Sequence, residues 1–239
     1  MCAISSKVLV VMVTRVQALP VKARLRAKHA LFLVLGLMTL FVLYKNEGFL
    51  IHHHSDTWKF FYPVRRKLFV HALGGAIALV VGALQFSTRL RQLLPALHRL
   101  LGRFYLASVS IAGPVAVYLS ITHGIAAMAT ETAVQASLWV MTAWMAFVAA
   151  RNRNFEVHRQ WMMRSYSITM IFVVSRIILA LPIAPTTDLG AERLGWILII
   201  CALLVPQLII NGPQLFARSR AVRAGTPLES VRDISRSRN

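Results

Sequence analysis

The sequence predicts an all-α fold, a polytopic transmembrane helix bundle with six spans and with both the N- and the C-terminus in the cytoplasm. Three observations predict it: the composition, the apolar runs and the places where basic residues occur. Hydrophobic residues make up 57% of the chain and charged residues only 15%, and the mean hydropathy is +0.61. A soluble domain cannot bury that much apolar surface, so lipid must cover part of it.

Six apolar runs approach the length that a bilayer requires, which is about 20 residues, or about 17 where basic side chains at the ends reach the headgroups. They cover residues 30–44, 68–86, 104–121, 133–150, 166–183 and 194–212. The first run is short and needs Lys28 and Lys45 to extend toward the headgroups. Pro95 predicts the first turn of a helix that continues into the third run, and Pro114 predicts a kink within it.

The basic residues predict how the spans are oriented. Twenty of the 27 lysines and arginines lie in segments that would all face one side, whereas the loops 45–67 and 183–193 hold six between them and Arg176 lies within a span. The positive-inside rule makes the basic side cytoplasmic. The predicted domains are a basic N-terminal segment (1–28), a six-helix membrane domain (29–213) with its core at 67–185, and a basic tail (214–239). We expect a multi-pass protein of the cell inner membrane.

The net charge of +19 does not indicate nucleic-acid binding. The basic residues occur in short stretches between apolar runs, so they favour a topology signal with attraction to anionic lipid. The lipid bilayer is the expected partner, and no nucleic acid is expected.

Polar residues recur on one face of three predicted helices. His71 and Gln85 lie about 40° and ~21 Å apart on the second run, since a helix turns 100° and rises 1.5 Å per residue. On the third helix, His98 and His123 are nearly aligned and ~37 Å apart. On the fifth, His158 aligns with Arg176 about 27 Å away. Each stripe places one polar group near each membrane face.

Combined with the orientation, these stripes predict two sites. The outer site would gather His71, His123 and Arg176. The inner site would gather Gln85, His98 and His158, with three further polar residues nearby: Arg103, Tyr105 and Arg164.

An arginine within a span, such as Arg176, raises the free energy of membrane insertion by about 2.5 kcal/mol or more. It therefore needs a loop carboxylate such as Asp188 or Glu131, backbone carbonyls or an anionic ligand, unless it extends to the interface. All eight acidic residues are predicted to lie in loops or in the tail. This absence from the spans disfavours a carboxylate-driven transporter.

Neutral imidazole is a good ligand for haem iron, copper and zinc. His71 with His123, and His98 with His158, could bind b-type haem or another redox metal for electron transfer to a redox partner or membrane complex. Gly74, Gly75 and Gly82 would allow close approach of either a helix or a flat ligand. Three further histidines are adjacent in the sequence, His52, His53 and His54, and they form either a metal site or part of an exposed loop.

Three alternatives remain open. The histidines could be satisfied by hydrogen bonds to loops and headgroups. The protein could be a non-catalytic membrane component, such as an assembly factor or a small-solute or lipid carrier. A membrane enzyme acting on lipid or quinone would show a side-opening cavity near Arg176 or the segment 98–105. No complete catalytic motif occurs, so enzymatic activity stays undecided.

The runs 98–105 and 158–166, preceded by His71-x-x-Gly74-Gly75 and by Gln85, resemble a bacterial membrane family catalogued as "domain of unknown function 2306". Arg176 and the three residues after it also fit its pattern. The resemblance covers roughly residues 65–185 and implies an integral membrane protein of unassigned activity. The four-histidine layout is also similar to cytochrome b561-type haem proteins, although their histidines lie within the spans.

Overall fold

A computed structural model describes residues 33–45, 56–123, 128–182 and 184–223, and these contain helices and no strand. The histidines at 52–54 and the N-terminal segment 1–28 lie outside this part of the chain. The elements are α1 (Leu33–Lys45), α2 (Asp56–Phe61), a 3-10 turn (Tyr62–Val64), α3 (Arg65–Gln85), α4 (Thr88–Leu93), α5 (Pro95–His123), α6 (Ala129–Arg151), α7 (Phe155–Leu179) and α8 (Asp188–Arg223).

Five helices are long and apolar enough to cross a membrane, which agrees with the last five of the six predicted spans. They are Trp58–Gln85, Pro95–His123, Ala129–Arg151, Phe155–Leu179 and Asp188–Gly212. The predicted first span corresponds to α1, whose described part is only about 20 Å long, against a hydrocarbon thickness of about 30 Å. It packs on the bundle, where Val42 is 1% exposed. A sixth span and the cytoplasmic location of both ends therefore stay predictions.

The long helices form an antiparallel bundle in which chain neighbours pack together, as short connections require. Gly74 of α3 packs against Ala112 of α5, and Gln85 at the end of α3 lies against Gly102 near the start of α5. The pair α3 and α7 is also in contact. The C-terminal ends of α3 and α6 therefore lie beside the first turns of α5 and α7, respectively.

Two glycines of α3 mark close helix contacts. A Cβ atom on Gly74 would lie 3.0 Å from the Cβ of Ala112, and one on Gly82 would lie 2.6 Å from Cδ2 of Tyr166. Gly75 is different, because a Cβ added there would meet no atom within 4 Å. Gly74 and Gly82 thus admit a neighbouring helix, whereas Gly75 opens onto empty space, and the approach of a flat ligand stays a prediction.

A hydrogen-bonded network at the centre of the bundle joins α5, α6 and α7. The hydroxyl oxygen of Tyr105 lies 2.8 Å from Ser165 Oγ and 3.0 Å from Thr169 Oγ1. Thr169 donates to the carbonyl oxygen of Ser165 and accepts from Trp139 Nε1 at 2.8 Å. Since the single Thr169 hydrogen is already used, Tyr105 donates to Thr169 and accepts from Ser165. Tyr105 thus belongs to the packed core and not to the predicted inner site.

Tyr105→Phe is expected to lower the free energy of unfolding by about 1–3 kcal/mol, because it leaves Ser165 and Thr169 short of a partner in a buried position. The matched control is Tyr118→Phe, which removes an exposed hydroxyl that accepts from Lys67 Nζ at 2.9 Å and which water can replace. Thermal denaturation of the detergent-solubilised variants measures both. Equal losses for the two variants would show that the central network contributes nothing specific.

Candidate functional site: a polar cavity within the bundle

A cavity of about 310 Å³ lies among the membrane helices, in the half of the bundle where α6 begins and α7 ends. We call it the polar cavity. Small residues leave this space open: Ala72, Gly75, Ala76, Ala136, Ala191 and Gly195. Its volume is at the lower end of the range of roughly 300–1,000 Å³ for sites that bind small organic molecules.

The walls of the polar cavity combine apolar surface with a few polar groups, which is the usual composition of small-molecule sites. The polar side chains come from α3, α6 and α7: His71, Glu131, Thr132, Gln135, Thr169, Ser175 and Arg176. Aromatic wall is supplied by Trp139 and Phe172. The cavity lies at Arg176, one of the two places where a side-opening cavity was predicted for a membrane enzyme acting on lipid or quinone, and its opening toward the bilayer stays a prediction.

The imidazole of His71 is fixed by α5. Its Nδ1 lies 3.0 Å from the carbonyl oxygen of Ala112. A carbonyl oxygen only accepts hydrogen bonds, so Nδ1 carries the hydrogen and Nε2 keeps a free lone pair. This lone pair can accept a hydrogen bond or bind a metal ion, and the ring that carries it is held in a defined orientation.

The structure corrects the prediction that the acidic residues lie in loops or in the tail, since five of them belong to helices: Asp56, Glu131, Glu156, Asp188 and Glu192. Of these five, Glu131 lines the polar cavity. It belongs to the first turn of α6, which begins at Ala129 rather than at the start of the apolar run, and it is only 3% exposed. Gly195 of α8 leaves room for the carboxyl group, since a Cβ there would lie 2.7 Å from Cδ of Glu131. Among the described residues, the carboxyl receives a hydrogen bond from Thr132 Oγ1 at 3.4 Å. This buried carboxyl therefore has bonding capacity to spare.

Arg176 lines the polar cavity and is also exposed. Its guanidinium carbon lies 5.5 Å from the centroid of the Phe172 ring. Within the described part of the chain no carboxylate lies within 4 Å of it, so neither Asp188 nor Glu131 is its ion-pair partner. It is close enough to His71 for the two to interact electrostatically. Arg176 thus lies on the cavity wall, and its extension to the membrane interface stays a prediction.

His123 does not line the polar cavity. It lies near the end of α5, about 16 Å beyond the level of Ala112 at a rise of 1.5 Å per residue. His71 bonds to Ala112, so the two imidazoles are much too far apart to share one metal ion, whose bonds to nitrogen are about 2 Å. The ring of His123 instead lies 6.5 Å from that of Phe60, and its Nδ1 is buried without a partner among the described residues.

His98 and His158 lie together at the opposite end of the bundle, and we call them the histidine pair. They are close enough to interact electrostatically. Nδ1 of His158 donates to the carbonyl oxygen of Ala146 at 2.8 Å, which leaves its Nε2 lone pair free. Nδ1 of His98 is buried and has no partner among the described residues.

Gln85 lies beside the histidine pair. Its carboxamide packs against Gly102, one turn after His98, and its Nε2 is buried without a partner among the described residues. Arg103 is exposed on the same helix. Arg164 is engaged elsewhere, since its Nη2 donates to Oε1 of Gln207 at 2.6 Å. The structure thus places Gln85, His98 and His158 at the same end of the bundle, and the inner site that they would form stays a prediction.

Among the described residues no three histidine, cysteine, aspartate or glutamate side chains converge on one point. The histidine pair offers two imidazoles and the polar cavity offers one. The roles predicted for His71, Gln85, His98, Arg103, His123, His158 and Arg176 as cofactor ligands stay predictions.

Sequence reasoning missed Glu131 and Gln135. The sequence did contain a signal for them, which is their spacing. The two residues are four positions apart, so they lie on the same helix face if α6 begins before Ala133. The apolar run alone did not show where the helix begins.

A family model described as "Predicted membrane protein (DUF2306)" matches residues 68–212. The match includes the polar side chains of the polar cavity and the histidine pair, and it excludes α1 and α2. No curated protein and no solved structure matches the chain.

Proposed function

The chain belongs to the DUF2306 family of predicted membrane proteins, and we propose that it binds a small lipid-soluble molecule in the polar cavity. The observation that carries this proposal is a cavity of about 310 Å³ inside the bundle, with polar groups set in apolar walls. Such a protein would serve as a carrier of a lipid-soluble compound, or as the binding component of a membrane complex.

Two features support binding over simple loose packing. Gly75 lies where a larger side chain would fill the space, and Gly195 leaves room for the carboxyl group of Glu131 on the cavity wall. Glu131 and Arg176 bring charged groups to the same space without pairing with each other. Unpaired charge within a membrane protein is costly and is typical of functional sites. A bound molecule that hydrogen-bonds to both groups would offset that cost.

The experiment is equilibrium binding of amphipathic probes to the full-length protein in lipid nanodiscs, with empty nanodiscs as the background. We expect saturable binding with one site per chain for at least one of three decyl compounds: decylubiquinone, decanoate or decylamine. If all three only partition into the lipid, the polar cavity is not a binding site and the proposal is wrong.

The second candidate is a b-type haem or another redox metal at the histidine pair, for electron transfer. The hydrogen bond from His158 Nδ1 to Ala146 favours it, because metal-binding histidines usually donate the other ring nitrogen's hydrogen to such an oxygen. His98 supplies a second imidazole nearby, and bis-histidine ligation holds b-type haem.

The haem candidate predicts a Soret band in protein purified from cells supplied with ample haem. His98→Ala and His158→Ala should each abolish the band, since each removes an axial ligand. His123→Ala is the matched control and should retain the band, because His123 lies far from the pair. A colourless wild-type protein prepared in this way contradicts haem binding.

A further inference from the structure

We infer that the molecule bound in the polar cavity has an uncharged ring with oxygen atoms on opposite sides, which is the chemistry of a quinone and its quinol. The inference rests on the proposed function, and it concerns the chemical class of the ligand. Four observations support it: the charges of the polar cavity, its hydrogen-bonding groups, its walls and its size.

The charges of the polar cavity favour a neutral ligand. Glu131 and Arg176 carry opposite formal charges, and both line the space. An anionic headgroup would be attracted to Arg176 but repelled by the buried Glu131, and a cationic headgroup would be attracted to Glu131 but repelled by Arg176, so the attraction of either charge is offset. Like charges in a site of low dielectric constant repel strongly. An uncharged ligand meets neither penalty.

The hydrogen-bonding groups suit both redox forms of such a ring. Arg176 is a donor only, so it suits a quinone carbonyl oxygen. Nε2 of His71 is an acceptor, because Nδ1 holds the ring hydrogen, and the carboxylate of Glu131 is also an acceptor. A quinol hydroxyl can donate to either one. Gln135 offers both a donor and an acceptor, so the same wall can satisfy both forms.

The walls suit an aromatic ring. The indole N–H of Trp139 donates to Thr169 Oγ1 at 2.8 Å, so this nitrogen is already satisfied and the ring serves as apolar surface. Phe172, Ile168 and Leu198 add further apolar wall. The volume of about 310 Å³ suits a single substituted ring rather than a phospholipid headgroup with two acyl chains. A tail attached to the ring would continue into the bilayer.

The test compares three amphipathic probes that each contain a ten-carbon chain and differ in headgroup charge: decylubiquinone, decanoate and decylamine. We expect decylubiquinone to bind the wild-type protein in nanodiscs about tenfold more tightly than either charged probe, as one unfavourable charged contact implies. Tighter binding of decanoate or decylamine overturns the inference and leaves the proposed function standing. Saturable binding of none of the probes overturns both.

Two charge-neutralising variants test the cause of that preference. Glu131→Gln removes the negative charge and should strengthen decanoate binding about tenfold, and Arg176→Gln should do the same for decylamine. The matched controls are Glu156→Gln, on an exposed residue at the opposite end of α7, and Arg193→Gln, on a residue of α8, and neither side chain lines the cavity. The controls should leave all three affinities within twofold of wild type. Unchanged decanoate binding to Glu131→Gln shows that the carboxylate does not select the ligand and overturns the inference.

Discussion

Gly75→Leu is expected to abolish saturable binding of decylubiquinone, a loss of about a hundredfold or more, while the protein folds at least as stably as wild type. The leucine side chain enters the polar cavity, because a Cβ at Gly75 meets no atom within 4 Å. Burial of its methyl groups and the better helix propensity of leucine, about 1 kcal/mol relative to glycine, both favour the folded state. Binding is lost because the space is filled, and not because the bundle is disturbed.

The matched control for this variant is Gly36→Leu. Gly36 is also helical and open, with no atom within 4 Å of an added Cβ, but it lies on α1 and does not line the cavity. Calorimetry in nanodiscs measures the affinity of both variants, and thermal denaturation measures their stability. Retained decylubiquinone binding in a stable Gly75→Leu protein would place the binding site elsewhere.

Gly82→Leu is expected to disrupt the core, with a loss of about 3 kcal/mol or more in the free energy of unfolding, as overpacking of this size implies. A Cβ at Gly82 would lie 2.6 Å from Cδ2 of Tyr166 and 2.9 Å from Cε2 of Tyr105. These rings cannot easily move aside. The hydroxyl of Tyr166 donates to the carbonyl oxygen of Leu79 at 3.2 Å, and that of Tyr105 belongs to the central network.

Gly75→Leu is the internal comparison for Gly82→Leu, because it is the same substitution two turns earlier in the same helix. The two variants should shift the denaturation midpoint in opposite directions. Midpoints measured in one detergent, together with the yield of monodisperse protein, give the comparison. If Gly82→Leu is as stable as wild type, α3 and α7 do not pack as closely as the structure shows.

Much of the architecture could be predicted from the sequence, because span length and composition are local properties. The structure confirms that Pro95 begins a helix and that this helix continues through His98 to His123. The apolar runs gave less accurate helix ends. Polar residues in the first turn of a helix do not change the hydropathy of the run that follows, and this is why Glu131 was wrongly assigned to a loop.

The candidate sites could be predicted only in part, since helical phase gives the face of a residue and not its level relative to a neighbouring helix. Phase correctly placed His71 and Arg176 on the wall of one space. The level of His123 depends on where α3 packs against α5, and that is set by the contact of Gly74 with Ala112. Nor could the sequence distinguish Gly74, which admits a helix, from its neighbour Gly75, which opens onto a cavity.

The most direct test of the central claim, that the polar cavity is the ligand site, is photoaffinity labelling with a decyl quinone that carries a diazirine. The protein in nanodiscs is irradiated, digested and analysed by mass spectrometry. We predict labels on cavity residues of α6 and α7, such as Trp139 and Phe172, which excess decylubiquinone prevents. Labels confined to lipid-facing side chains such as Ile197 and Leu204, and insensitive to that competitor, would contradict the claim.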